Sequence, residues 1–485
     1  MSETTGTRRS RPGFLRAVTR RFGTWPLFGV ILVWVVLALV VFTVLGWLWG
    51  EGPLWSWQRW LTNWRGAGVG AGSLDLVKVS LTTIGGIGGT GYLVIKYRER
   101  ASAERAERDA EQNRAEQRLL SGVQQLGSGS PQVRIAGVYS LADVADTYRG
   151  EYRQRVVSIL CGYLRTQRGE WRTIVNEQDG PEQSSEEKVY VSHDGAVEST
   201  VLEVLVRHLR KRREKTKHRE AVTQLVEDDQ LWCDCTIDLH DAVLTEIADF
   251  QDATFNRDAD FSGATFNRYA NFGGATFNRD ANFRGATFTN NADFRGATFT
   301  NNADFRGATF NRDANFWGAT FTNNVYFGGA TFTNNVYFWG ATFNRYADFW
   351  GATFNRYANF RGATFTNNAD FWRATFNRDA DFGGATFTNN ANFWRATFDR
   401  ADFGVATFNR DADFGGATFT NADFQDATFS RSAPPMGLPS EQVDEDGLPH
   451  GARWADADDE GLEAGSPDDA PAEGTGPGSA DSAAS

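Results

Sequence analysis

From residue 250 to residue 429, phenylalanine recurs at steps that alternate between five and six residues. Two positions before each Phe stands a small residue, almost always Ala, and the residue between the two is polar. Alternate side chains of an extended segment share a face, so Ala and Phe point inward and the intervening Thr, Asp or Asn points outward. The pattern predicts very short strands joined by turns, with a structural core that begins at Phe250, Phe255, Phe261, Phe266, Phe272 and Phe277.

The repeated unit is Ala-Thr-Phe-x-x-x-Ala-(Asp/Asn)-Phe-x-x, which combines one step of five with one step of six. A fixed short period indicates a solenoid. A helix is excluded because its period of about 3.6 residues does not fit steps of five and six. The extra residue in every second step, as in 256–258, predicts a one-residue bulge at two corners of each coil. The steps 398–403 and 419–424 lack this residue.

The spacing of the tryptophans bears on the number of sides. Trp317 and Trp339 lie two repeat units apart, and so do successive members of the series Trp350, Trp372 and Trp394. Two units make four sides, and such a coil would stack these residues at two opposite corners, whereas a shorter, three-sided coil would scatter them. Plain duplication of the repeat unit would also give this spacing. We predict a four-sided coil that repeats about nine times.

The unit 248–252, Ala-Asp-Phe-Gln-Asp, resembles the pattern of the pentapeptide-repeat family, Ala-(Asp/Asn)-(Leu/Phe)-x-x. The resemblance covers residues 235–431 and implies a right-handed quadrilateral β-helix. The extra corner residue departs from the family pattern and lengthens the coil from about 20 to about 22 residues. The resemblance also suggests two properties, which are protection of topoisomerases by DNA mimicry and pairing of two chains through their C-terminal coils.

The N-terminal part of the chain predicts a transmembrane hairpin at 26–96. Residues 26–50 are almost wholly apolar and long enough to span a bilayer, and a weaker second span covers 74–95. Basic residues are concentrated in 1–25 and directly after the second span, so both ends are predicted to be cytoplasmic. A cleaved signal peptide is the alternative for the first span, and a re-entrant segment is the alternative for the second.

Between hairpin and repeats, the sequence predicts a linker helix at 97–126 and an α-helical module at 127–230. Ser130 and Pro131 form an N-cap and a first helical position. Residues 167–195 are polar and are predicted to be a mobile loop before a third helix. The stretch 125–141 resembles the helical segment that precedes the repeats in membrane-anchored pentapeptide-repeat proteins of actinobacteria.

Two charged segments flank the repeats. The basic run 208–219 could contact anionic lipid or nucleic acid, or it could be a solvated helix end. Residues 432–485 are acidic and rich in Ala, Gly, Pro and Ser, which predicts a disordered tail. Pro434-Pro435 is expected to block further strand pairing. The tail carries most of the formal net charge of −12, so that charge does not indicate an acidic solenoid.

Candidate chemistry is sparse. The segment 250–429 contains no His, Cys, Lys or Glu, and its Asp and Arg residues nearly cancel in number. No phosphate-binding loop, dinucleotide fingerprint or nucleophile elbow occurs in the chain. Cys233 and Cys235 lack a convincing set of further metal ligands, and Cys235 is expected to pack at the mouth of the first coil. We therefore predict no catalytic residue, no metal and no cofactor.

These patterns favour a non-enzymatic, membrane-tethered scaffold that presents a rigid solenoid to an unknown protein partner. Nucleic acid is not expected as a partner. A DNA-mimicking topoisomerase-binding protein and an enzyme with its site in the helical module are the alternatives. The C-terminal coil is expected to be closed by a second copy of the chain or shielded loosely by the tail. The predicted interaction surface consists of Trp317, Trp339, Trp350, Trp372, Trp394, Tyr346 and Tyr357.

Overall fold

The computed structural model describes residues 71–175, 186–211 and 224–455, together with six helical residues between 33 and 44. The chain divides into two compact units, 1–114 and 115–485. Apart from those six residues, the basic N-terminus, the predicted first span at 26–50 and the connection at 51–70 lie outside the described residues.

The predicted second span and linker helix form one continuous helix, α1, Ala71–Leu126. Within the described ranges, no helix combines the length and the apolar character that crossing a bilayer requires. The predicted transmembrane hairpin is therefore not supported. Glycine at five of the positions 85–91, together with Asp75 and Lys78, dilutes the apolar residues of this segment.

The helical module contains α2 (Pro131–Tyr148), α3 (Glu151–Arg165), α4 (Gly195–Leu209) and a short 3-10 helix, Asp228–Gln230. The mobile loop predicted at 167–195 is wrong for its described part. Strands β1, Gly169–Val175, and β2, Glu186–Ser192, pair there as an antiparallel hairpin.

The hairpin has a local physical cause. Trp171 lies opposite Tyr190, with ring centroids 5.2 Å apart, and aromatic pairs directly opposite each other stabilise antiparallel strands. The many charged residues of the segment masked this signal in the sequence.

The repeats form a parallel β-solenoid with four strands per coil, as predicted, and each strand pairs with the equivalent strand of the next coil, as Thr276 does with Thr298. Face 1 consists of Ile237–Asp238, Ala259–Asp260, Ala281–Asn282, Ala303–Asp304, Val325–Tyr326, Ala347–Asp348, Ala369–Asp370, Ala391–Asn392 and Ala412–Asp413. Face 2 begins with Val243–Leu244, Thr265–Phe266, Thr287–Phe288, Thr309–Phe310, Thr331–Phe332 and Thr353–Phe354. Face 3 begins with Ala248–Asp249, Ala270–Asn271, Ala292–Asp293, Ala314–Asn315, Val336–Tyr337 and Ala358–Asn359. Face 4 consists of Thr254–Phe255, Thr276–Phe277, Thr298–Phe299, Thr320–Phe321, Thr342–Phe343, Thr364–Phe365, Thr386–Phe387, Thr407–Phe408, Thr428–Phe429 and Arg453–Trp454.

Faces 2 and 3 merge in the last three coils into the continuous strands Thr375–Asp381, Thr397–Asp402 and Thr418–Asp423. The register shifts by one residue between the first two of these strands, because the later coil lacks the extra corner residue. Phe376 pairs with Phe398, whereas Ala380 pairs with Ala401. Thr375–Asp381 is continuous although it keeps the extra corner residue, whereas the two later strands lack that residue.

The interior is a column of phenylalanine rings. Each ring stacks on the ring of the next coil, as Phe255 does on Phe277 at 4.6 Å with an angle of 1° between the rings. Rings from opposite sides meet edge to face across the interior, as Phe283 after a face 1 strand and Phe294 after a face 3 strand do. Both arrangements suit the quadrupoles of the rings. The six phenylalanines predicted to begin the core are all buried.

The helical module closes the N-terminal end of the solenoid. Apolar residues of α3 and α4, such as Leu160 and Leu205, share one core with Trp232, Ile237 and Leu239 of the first coil. Cys235 lies buried in this core, at the position predicted for it.

The C-terminal end differs from the predicted disordered tail, because residues 432–455 are folded over the last coil, which agrees with the alternative of shielding by the tail. Pro434-Pro435 interrupts pairing only briefly, since the Met436 amide donates to the carbonyl of Ala412 at 2.9 Å. Arg453–Trp454 then adds a tenth strand to face 4, and Leu448 is buried. The predicted tail boundary at 431 is therefore wrong for 432–455, and residues 456–485 lie outside the described residues.

Candidate interaction surface

The corners between faces 1 and 2 and between faces 3 and 4 are called the narrow corners. Two local features form each of them. The outward Asp or Asn of faces 1 and 3 accepts a hydrogen bond from the amide two residues later, as Asn271 does from Gly273 at 2.9 Å. The second corner residue takes a left-handed conformation, with φ of 69° at Gly274, for example. The recurring carboxylates and amides are thus turn formers, which explains why Asp and Asn alternate freely at these positions.

Two tryptophan ridges rise from opposite narrow corners, as the two-unit spacing predicted. Ridge A, between faces 1 and 2, consists of Trp350, Trp372 and Trp394, with successive ring centroids 5.8 Å apart. Ridge B, between faces 3 and 4, consists of Trp317 and Trp339, which stack at 5.2 Å. Both tryptophans of ridge B and Trp350 are about half exposed, at 49% and 50%, so the ridges present large aromatic edges to solvent.

Tyr346 and Tyr357 are not free members of this surface. The Tyr346 hydroxyl donates to Asp370 at 2.9 Å, and the Tyr357 hydroxyl donates to Asp381 at 2.8 Å. Both rings are partly buried, and burial together with these carboxylates raises the pKa of both hydroxyls. Tyr269 makes the same contact with Asp293. These tyrosines tie neighbouring coils together instead of offering a free hydroxyl to a partner.

The structure adds two residues that the sequence prediction missed. Arg373 and Arg395 occupy left-handed corner positions, with φ of 57° and 56°, which glycine holds at this corner in most other coils. A residue with a Cβ pays about 1 kcal/mol or more in that conformation. The guanidinium carbons lie 5.2 Å from the Trp372 ring and 4.1 Å from the Trp394 ring. The replacement of Gly by Arg at these two corners was the available sequence signal.

A third such position has no comparable explanation. Val405 takes a φ of 60° at the corner between faces 3 and 4, and nothing in the structure accounts for this choice. The other non-glycine residues at equivalent corner positions are Asp241, Asp252 and Asp426, and Asp tolerates the left-handed conformation.

Charge on the solenoid is mixed. Between Phe250 and Phe429 the chain has 17 Asp and 15 Arg residues. Several of them pair on the surface, as Arg295 does with Asp293 at 2.5 Å and Arg400 with Asp379 at 2.5 Å. The described solenoid therefore lacks the uniformly acidic face that imitation of a nucleic acid requires.

Groups with possible metal chemistry lie at the first coil. Three side chains there each have one possible ligand atom, and these atoms lie within 4.8 Å of one another. The residues are Asp238, His240 and Asp260. The guanidinium of Arg165 lies among them, with Nη1 at 2.8 Å from an Asp238 oxygen and at 2.8 Å from His240 Nδ1. A cation already occupies this cluster, so it is a poor site for a second one.

The three cysteines are buried and unpaired with one another. Burial raises the pKa of the Cys233 and Cys235 thiols to about 11 and that of Cys161 to about 12. Since the thiolate is the nucleophile and the metal ligand, these residues are poorly suited to either task.

The helical module contains a cavity of about 520 Å³ bordered by Arg134, Tyr163, Arg168, His193 and Asp194 among others. Arg134 pairs with Asp194 at 2.7 Å, and Arg168 pairs with the buried Glu198 at 2.5 Å. Its charged groups are thus committed to partners within the fold. No nucleophile stands beside a base here, so the cavity shows no catalytic arrangement among the described residues.

The beginning of the basic run 208–219 is part of the N-terminal closure. His208 is buried and stacks on Trp232 with ring centroids 4.0 Å apart. Arg210 pairs with Asp249 at 2.8 Å. Residues 212–223 lie outside the described residues, so the choice between lipid and nucleic acid as a contact is untested.

Comparison with known proteins identifies the repeats. A family model described as pentapeptide repeats (9 copies) matches residues 239–287, 283–331, 316–364 and 360–406. A second model, pentapeptide repeats (8 copies), matches residues 410–432. No curated protein and no solved structure matches the chain. The finer resemblance of 125–141 to membrane-anchored actinobacterial proteins is therefore without support from a relative.

Proposed function

We propose that the protein, whose residues 239–406 and 410–432 match models of the pentapeptide-repeat family, is a non-enzymatic scaffold that binds another protein through its tryptophan ridges. The observation that carries the proposal is the half-exposed aromatic surface of Trp317, Trp339 and Trp350 on a rigid rod, continued by the partly exposed Trp372 and Trp394. Trp, Tyr and Arg are the residues that most often dominate binding energy at protein interfaces. A solenoid is also not a typical enzyme fold.

The repeat itself supplies variants that keep the fold. Gly328 and Gly415 occupy the ridge A position in neighbouring coils, and Gly273 and Gly383 occupy the ridge B position. Replacement of each ridge tryptophan by Gly therefore removes the aromatic surface with a residue that this corner already accepts. The change Arg257→Asn with Arg279→Asn is a matched control, because Asn301 and Asn323 stand at the same corner in later coils.

The test is proximity labelling from the solenoid in the native cell, comparing the unaltered chain with the Trp→Gly variants and the Arg→Asn control. We expect a set of neighbouring proteins that is lost when ridge A or ridge B is removed and is retained in the control. Loss of one dominant aromatic contact lowers affinity by about tenfold or more. Identical neighbours for the unaltered chain, both Trp→Gly variants and the control would refute the proposal.

Topoisomerase binding by DNA mimicry is the alternative that the family suggests. The near balance of Asp and Arg on the solenoid opposes it. A gyrase supercoiling assay with the solenoid distinguishes the two functions. Dose-dependent inhibition or protection that survives removal of both ridges would favour mimicry over the scaffold.

Attachment to a membrane is a separate part of the proposal and is supported by sequence alone. Residues 26–50 are long and apolar enough for one span, and the arginines before them favour a cytoplasmic N-terminus. The predicted cytoplasmic solenoid needs the second span as well, because one span would place the solenoid on the opposite side. A compartment-specific reporter fused after Ser485 decides this: cytoplasmic activity supports two spans, and external activity overturns the prediction.

A further inference from the structure

We propose that the acidic segment 456–485 binds to the solenoid of its own chain, on the alternating residues Trp372, Arg373, Trp394 and Arg395. These four residues are called the Trp–Arg ladder. The contact would cover most of ridge A, so the segment would compete with the protein partner for this surface. The proposal goes beyond the scaffold function and does not depend on the identity of that partner.

The ladder is a cationic surface of defined geometry. Each guanidinium lies against the indole that precedes it, at 5.2 Å for Arg373 and 4.1 Å for Arg395. Stacking on a ring leaves the N–H edge of a guanidinium free for carboxylate oxygens. Among the described residues neither guanidinium pairs with a carboxylate, whereas Arg295 and Arg306 each pair with the Asp two positions earlier.

The backbone conformation also distinguishes the positions of Arg373 and Arg395. Most coils place glycine at the left-handed residue of this corner, for instance Gly329, Gly351 and Gly416. Arg373 and Arg395 are the two exceptions within the ridge, and a long side chain held in a strained conformation where the neighbouring coils have glycine points to a selected side chain. This strain indicates a binding role for the two guanidinium groups.

The segment 456–485 has the complementary chemistry. It contains nine Asp and Glu residues and no Lys or Arg. Five of these carboxylates fall within 456–463, around Leu462, the segment's one leucine. Carboxylates bind the fork of a guanidinium through paired hydrogen bonds, and an apolar side chain can lie on the exposed indole edges.

The end of the described chain places the segment within reach of the ladder. The Ala455 amide donates to the carbonyl of Phe429, so the chain leaves the last coil after face 4. From there the ladder lies across face 1 and two to three coils back, which is on the order of 20 Å for strands about 4.8 Å apart. About six or seven extended residues cover that distance.

The segment 432–455, called the C-terminal cover, also lies directly beside the ladder. A Cβ built at Gly415 would come 2.6 Å from Cδ1 of Trp394, so the indole packs on that glycine. A Cβ built at Gly437 would come 2.4 Å from Cα of Gly415. The cover that leads into 456–485 therefore contacts the coil that supports Trp394.

Covalent linkage makes a weak contact effective. Exposed carboxylate–guanidinium pairs bind weakly and are screened by salt. A short flexible connection, however, raises the effective concentration of the segment to about the millimolar range. We therefore expect the contact to be populated within one chain at low salt and to be lost at about 1 M salt, where the screening length is about 3 Å.

The experiment uses the full chain with a photo-crosslinking amino acid in place of Leu462. After irradiation, mass spectrometry maps the sites joined to residue 462 in the unaltered chain, in Arg373→Gly with Arg395→Gly, and in the control Arg257→Asn with Arg279→Asn. Both double variants remove two positive charges and use residues that the repeat accepts at those positions, and thermal unfolding of each confirms the fold.

We expect cross-links to fall within 372–395 in the unaltered chain and the control, and to decrease about fivefold in the Arg373→Gly, Arg395→Gly variant and at high salt. Cross-links elsewhere on the solenoid, or an equal yield in both double variants, would overturn the proposal. Neither result would affect the scaffold function, because the assay contains no partner. Conversely, a chain that gives the cross-link but shows no partner would disprove only the scaffold function.

Discussion

The two ends of the solenoid are closed by different means. At the N-terminal end, helices α3 and α4 cover the first coil, and the buried carboxylate of Glu198 accepts the amides of Thr245 and Glu246 at 2.5 and 3.0 Å. At the C-terminal end, a single passing segment, 432–455, supplies one short strand and a few backbone bonds. The last strand of faces 2 and 3, Thr418–Asp423, pairs on one side only among the described strands.

The difference shows two ways to satisfy the unpaired backbone groups of a terminal coil. A charged side chain on a packed helix accepts strong hydrogen bonds. Its burial costs free energy of desolvation, however, because both Glu198 and Arg168 are buried. A segment that only crosses the last coil, as 432–455 does, requires no buried charge and detaches from the coil more easily. We therefore expect the N-terminal end to be the more stable end, and the predictions below test that order.

The largest effect is expected for Glu198→Ala. It leaves the Arg168 guanidinium buried without its carboxylate and frees two amides of the first coil, which should lower the free energy of unfolding of the module by about 3–5 kcal/mol. The control Glu203→Ala removes an exposed pair with Arg207 and should cost about 0.5 kcal/mol or less.

Urea unfolding monitored by thiol reactivity measures this effect, because Cys161, Cys233 and Cys235 all lie at the N-terminal end. Equal midpoints for the two variants would show that the buried pair does not hold the end closed.

The second prediction concerns the C-terminal cover. Removal of residues 433–485 exposes the backbone of the last coil and the rings of Phe424 and Phe429, which should cause self-association through open strand edges. Removal of 456–485 alone leaves the cover in place, and that chain should stay monomeric. Light scattering of both chains, each beginning at Ala115, distinguishes them.

This result also decides the homodimer predicted from the sequence. That prediction assumed a bare C-terminal coil. If the chain that ends at Ala455 already forms a dimer, pairing does not require exposure of the end, and the cover does not protect it.

The third prediction is a pH dependence of the N-terminal end. Burial raises the pKa of Cys161 to about 12, whereas an unperturbed thiol ionises near 9.0. The folded chain therefore keeps protons that the unfolded chain loses, and stability begins to fall as the pH approaches the unfolded pKa of 9.0 and falls further above it. For the three buried thiols together the loss between pH 8 and pH 9 should be about 1 kcal/mol.

Denaturation at both pH values measures this loss, and Cys161→Ala should reduce it by about a third. The described C-terminal coils contain no thiol, so their hydrogen-exchange protection, corrected for intrinsic rates, should change less. An unchanged unfolding free energy from pH 8 to pH 9 would contradict the burial of these thiols.

The smallest effect compares one turn in two neighbouring coils. Asp402 accepts the Gly404 amide at 2.7 Å within the solenoid, and Asp423 accepts the Gln425 amide at 2.8 Å in the last coil. Asp402→Ala should cost about 1 kcal/mol, and Asp423→Ala about 0.5 kcal/mol or less, because the last turn is more exposed to water.

Asp402→Asn is the control and should be near neutral, since Asn315 and Asn359 fill the same position on face 3. Hydrogen exchange of residues 397–425 measures the change in stability for each of the three variants. A larger cost at Asp423 than at Asp402 would reverse the proposed order of stability along the rod.

Much of the rod could be predicted without a structure. The steps of five and six residues predicted the strands and their inward Phe, and the regular spacing of Trp350, Trp372 and Trp394 predicted four sides and stacked ridges. These features follow from the sequence because each coil contacts mainly the next coil. A nearest-neighbour structure repeats its contacts with the period of its sequence.

The sequence did not reveal contacts that occur only once. Three such contacts do not recur along the chain, so no periodic pattern in the sequence indicates them. They are the fold of 432–455 over the last coil, the pairing of Trp171 with Tyr190 and the ion pair between Arg168 and Glu198. The bond from Tyr346 to Asp370 joins neighbouring coils and converts a predicted surface residue into an internal tie. Such features depend on long-range burial and hydrogen bonding, which only the tertiary structure decides.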